Sequence, residues 1–125
     1  MKISRAFVPA VVLSASVILA GATVPASTSD KGRLEKERIV LENARVRVLE
    51  YTSKPNGDVC GVGIHSHPAH LTIVLSPARD RATTVGGKPE VADMKVGDVY
   101  WSDGETHTDV NIGKTSSRVI VVELK

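Results

Sequence analysis

From Ile39 onward, apolar and polar residues alternate in short runs, and no window holds a sustained 3.6-residue apolar period. "ARVRVLEYT" (44–52) alternates as a half-buried strand does and ends at "SKPNGD", a turn bearing proline and glycine. "VCGVGIHSH" reads as the next strand, ended by Pro68, which has no ladder donor. "LTIVLS" follows, then a turn at "PARD", and "RATTV" runs into "GGK", a hairpin connection. "PEVADMKVGDVYW" carries two short strands split near Lys95 to Asp98, and "THTDVNIG" and "SSRVIVVELK" complete the set. The closing "VIVVEL" is apolar on both faces until Glu123, as a centrally buried strand must be. Strands spaced about ten residues apart predict an all-β sandwich or barrel.

The chain has 125 residues, enough for one such domain. Its beginning has a different texture. Lys2 and Arg5 precede the apolar "AFVPAVVLSASVILA", and the small-residue cleavage candidates Ala20-Gly21-Ala22 and Val24-Pro25-Ala26 follow. That order is the signature of a secretory signal peptide, here residues 1–26 with the cut after Ala26, and it predicts a periplasmic or secreted protein. A retained anchor is disfavoured. The run from Phe7 to Val24 is broken by Pro9, Ser14, Ser16, Gly21 and Thr23 and is short for a span needing about 20 apolar residues. No stable membrane association is expected after cleavage. Residues 27–38, "STSDKGRLEKER", read as a polar arm or linker, leaving 39–125 as the folded domain.

Removing the leader changes the charge. It carries two of the 16 basic residues and none of the 14 acidic ones, so the remainder holds 14 of each and is formally neutral. A neutral chain without a basic cluster excludes nucleic acid as the expected partner. Open sheet edges on a domain of this size leave room for a homodimer.

Cys60 is the only cysteine, so no internal disulfide forms. It is open to three readings: a small buried apolar residue, a ligand or a reactive thiol. Aromatics are scarce after the leader, with only Tyr51, Tyr100 and Trp101. The core must therefore be built from valine, isoleucine and leucine. Tyr100 and Trp101 are expected to plug the barrel.

Three of the four histidines fall within "HSHPAH" (65–70), and the fourth is His107. Residues two apart on a strand point the same way, so His65 and His67 project together, with Gly63 leaving room beside them. Two imidazoles on one face are half a metal site. His70 opens the next strand, where it can lean over the same cavity, and His107 can supply a fourth donor. Asp109 and Glu105 are open to two readings: solvated turn carboxylates, or a general base or acceptor that orients His107.

At these residues the chain resembles the cupins. Gly61, the pair His65-Ser66-His67 and the strand "IVLSP" (73–77) match their first motif; Gly97, Gly104, His107 and Asn111 match their second. The resemblance covers roughly 39–125 and implies a small jelly-roll β-barrel, the double-stranded β-helix. It also implies metal ligation by His65, His67 and His107. The first motif's glutamate is missing. His70 stands where it would project, as its substitute or as a neighbour lining the pocket. The second motif's proline is replaced around Ser102-Asp103.

A histidine set suits a divalent transition metal (zinc, iron, nickel, copper or manganese) better than oxygen-seeking magnesium or calcium. The expected function is an exported metal-binding cupin with a small-molecule ligand or substrate. Two classes remain open: a metal-dependent enzyme of dioxygenase, lyase or isomerase type, or a non-catalytic module whose four imidazoles close the coordination sphere.

Overall fold

The computed structural model describes residues 35–125. The signal-peptide reading of 1–26 and the arm through residue 34 lie outside the described residues. Among the described residues, nine strands form two antiparallel sheets. β1 (Lys36–Glu42), β2 (Val46–Ser53), β9 (Ser117–Leu124), β4 (His70–Val74) and β7 (Val99–Ser102) lie side by side in one. β3 (His65–His67), β8 (Glu105–Asn111), β5 (Ala78–Thr84) and β6 (Glu90–Met94) make the other. Among the described residues no helix is long and apolar enough to cross a membrane.

The five-stranded sheet holds the apolar core. Leu49 pairs with Val121 and Tyr51 with Val119 across β2 and β9, while Val74 of β4 also faces Val119. All five are buried. The valine-rich final strand lies at the centre of its sheet, as its two-sided apolarity demands. The core ends in polar closure at Ser53 and Ser117, whose buried hydroxyls lie 2.7 Å apart.

Three expectations change. β1 begins at Lys36, so the last three residues of the arm are strand, paired in antiparallel register with β2. Second, only His65–His67 of "VCGVGIHSH" is strand. Gly63 adopts φ +59°, which takes the preceding chain out of extended geometry. Third, Tyr100 and Trp101 do not plug the barrel. They sit on the edge strand β7, 41% and 54% exposed. The valines and Leu49 fill the interior without them.

The non-strand segment before β3 has its own anchoring. Asn56 N–H donates to Asn111 O and Val59 N–H to Asp109 O, while Asn111 N–H donates to Gly57 O. These bonds run the segment along β8 and carry Cys60 into the barrel beside His107.

Candidate metal centre

The inner face of the four-stranded sheet is polar. His65 pairs with His107 and His67 with Glu105 across β3 and β8; Ala82 of β5 pairs with Asp109 and Asp80 with Asn111. Side chains two apart on a strand share a face, so Glu105, His107, Asp109 and Asn111 form one inward row on β8.

Three donors meet closely there. His65 Nε2 lies 3.0 Å from His107 Nε2, and Cys60 Sγ lies 3.4 and 3.5 Å from those two nitrogens. His67 completes a group of four whose ligand atoms all lie within 4.8 Å of one another. Cys60, His67 and His107 are buried, and His65 is partly so.

Each imidazole in the group has its other nitrogen directed at an oxygen. His65 Nδ1–H donates to Gly63 O at 2.9 Å and His67 Nδ1–H to Glu123 Oε1 at 2.8 Å. His107 Nδ1 faces Glu105 Oε1 at 3.4 Å. An oxygen acceptor at Nδ1 puts the proton there and leaves Nε2 as a lone pair, the arrangement that metal-bound histidines use. His67 Nε2 is buried and has no hydrogen-bond partner.

The donor set fits a cation. Two Nε2 atoms at 3.0 Å are joined in one of two ways, by an Nε2–H of one ring donating to the other or by a cation that both ligate. A tetrahedral zinc site has ligand–ligand edges of about 3.3 Å for N to N and about 3.5 Å for N to S, close to the spacings of Cys60, His65 and His107. Protonation is a poor substitute for the cation. Burial lowers His65 and pushes His107 down to about 4, despite the opposing pull of Glu105 on His107. Burial, reinforced by Asp109 and other carboxylates, raises the Cys60 thiol well above its usual value. Without a cation, then, the group is neutral imidazoles and a neutral thiol.

Glycine makes this crowding feasible, but at a different position from the one expected. A Cβ on Gly61 would lie 2.5 Å from the His65 ring, so residue 61 must lack one. Gly63 has open space around it and contributes its carbonyl instead.

The structure brings together three of the four predicted ligands. His70 is buried beside His67, with ring centroids 5.0 Å apart, and its Nδ1–H donates to Pro68 O at 2.8 Å. It belongs to the other sheet and lines the cavity, outside the group of four. Cys60 takes the fourth place. The signal for it in the sequence was its position one residue before Gly61 on the loop leading into His65. Glu123 had no such signal, because it reaches His67 from 56 residues away. Of the two acidic candidates, Glu105 faces His107 Nδ1, while Asp109 Oδ2 lies 4.0 Å from Cys60 Sγ.

A cavity of about 170 Å³ adjoins the group, walled by Cys60, His70, His107 and Asp109 and by Tyr100 at the five-stranded sheet's edge. Burial pushes the Asp109 carboxyl up to about 6.

No family model matches the chain, and no curated protein matches it by sequence. Solved structures do. A cupin domain from Bordetella pertussis Tohama I aligns over 72% of this chain and 92% of its own, with TM-score 0.63 and 20% identity. A cupin superfamily protein from Desulfitobacterium hafniense DCB-2 aligns over 71% and 75%, with TM-score 0.56 and 12% identity. The polyketide cyclase RemF from Streptomyces resistomycificus aligns over 74% and 67%, with TM-score 0.55 and 21% identity. Two antiparallel sheets, closed over an inward row of histidines and superposable on these proteins, give this chain the cupin fold, the double-stranded β-helix.

Proposed function

We propose that this chain is an exported protein that binds one divalent transition-metal ion through Cys60, His65, His67 and His107 and works on a small organic molecule in the adjoining cavity. The observation that carries the reading is the 3.0 Å approach of His65 Nε2 and His107 Nε2, with both rings' Nδ1 atoms turned to oxygens. A thiolate and imidazoles select zinc, iron, nickel or copper over magnesium or calcium. When bound, such an ion supplies a Lewis acid next to the cavity. The chain's own groups do the rest. Glu105 and Glu123 orient His107 and His67. Asp109 lines the cavity beside Cys60, where it is placed to take or give a proton.

The second reading is a non-catalytic metal-holding module. It is favoured by the count of donors, since four protein ligands can close a tetrahedral sphere. Metal analysis of tag-free protein, with Cys60→Ser and His107→Ala, tests the site itself. One ion per wild-type chain and loss from both variants is expected; wild type still empty after reconstitution sinks the site. The absorption spectrum of the cobalt-loaded protein separates the two readings. Bands that shift with added azide mark an exchangeable position and an enzyme, and bands indifferent to it mark a closed sphere.

A further inference from the structure

Beyond the Cys/His group, the cavity wall has a second polar feature. Asp80 lies opposite Asn111 and Asp109 opposite Ala82, so both carboxyls share the inward face of the four-stranded sheet. Both line the cavity. Asp80 is only 4% exposed, yet neither of its side-chain oxygens has a hydrogen-bond partner, and Asp109 Oδ1 is buried without one too. Three buried acceptors without donors on one wall are costly, and what they lack is N–H or O–H groups. Across the cavity, Tyr100 shares its sheet face with Thr72 and stays 41% exposed at the edge strand. Carboxyls inside and an aromatic ring at the rim together match a small cation that carries N–H bonds.

We propose that the cavity binds a small primary ammonium compound, with Asp80 and Asp109 receiving the ammonium group and Tyr100 flanking it from the rim. The site needs the cavity but not the metal, so the two ideas fail separately.

Calorimetric titration of metal-free protein with propylammonium chloride tests it, with 1-propanol and tetramethylammonium as controls. Saturable binding of one propylammonium per chain is expected. The alcohol should not saturate, and tetramethylammonium, which has no N–H donor, should bind at least about tenfold more weakly. Asp80→Asn keeps the shape but cannot become the carboxylate that a bound ammonium draws from Asp80, and should weaken propylammonium by at least about tenfold. Tyr100→Leu, at an exposed position, should weaken it about two- to fivefold. The proposal is overturned if propylammonium fails to saturate both metal-free and zinc-loaded wild type, or binds Asp80→Asn as tightly. It is equally overturned if wild type takes up two zinc ions and Asp80→Asn only one, which would make the carboxyls a second metal site. Amine binding that persists in a Cys60→Ser variant unable to hold zinc would leave this proposal standing on its own.

Discussion

The two sheets of this barrel divide the work unequally. The five-stranded sheet turns Leu49, Tyr51, Val74, Val119 and Val121 inward, and these are most of the buried apolar residues. The four-stranded sheet turns inward His65, His67, Glu105, His107, Asp109 and Asp80. Both faces follow the same period-2 alternation, so the backbone does not distinguish them. What differs is the sign of the energy. One wall gains by leaving water, and the other loses by it unless something binds there.

The largest expected break is on the apolar wall. Leu49→Ala should lower stability by about 3–5 kcal/mol, because a fully buried leucine leaves a cavity in a small core. Urea unfolding checks this, with zinc stoichiometry of the folded fraction unchanged. Loss of stability below about 1 kcal/mol would mean that the core does not rest on this sheet.

The polar wall predicts the opposite sign. Burial, and then Asp109, pushes the Asp80 carboxyl from 3.8 up to about 8. The folded protein therefore keeps a proton that the unfolded chain gives up. Stability is whole below pH 3.8 and drains away as pH rises toward about 8. Asp80→Asn should therefore stabilise the protein by on the order of a few kcal/mol at pH 8, and by almost nothing at pH 4. Melting curves at the two pH values decide it. A variant no more stable than wild type at pH 8 would show that the carboxyl is not strained in the fold.

A smaller effect sharpens the link between the walls. Glu123 crosses from the five-stranded sheet to hold His67 Nδ1. Glu123→Gln should weaken zinc affinity by about 10- to 100-fold while leaving one ion per chain. Competition with a chromophoric chelator measures it, and unchanged affinity would remove His67 from the working ligand set.

Much of this was legible beforehand at particular residues. Pro68 separates β3 from β4, the glycine pair at 86 and 87 turns β5 into β6, and the apolar "VIVVEL" occupies the sheet centre. His65, His67 and His107 converge as the motif resemblance implied. His70 lines the cavity and Cys60 joins the histidines, each one of the readings that the sequence left open, since their places depend on which sheet, and which loop path, each belongs to.

The sequence by itself determined the all-β class, the strand spacing and the three histidines that meet, because alternation, turn chemistry and short motifs are local properties of a chain. Only the tertiary structure decided that Cys60 enters the site, that Glu123 orients His67 and that Asp80 stands near Asp109. Those outcomes rest on strand register and on hydrogen bonds such as Val59 N–H to Asp109 O, which join residues far apart in the chain. Register sums weak pairings over the whole sheet, and no short window of sequence contains that sum.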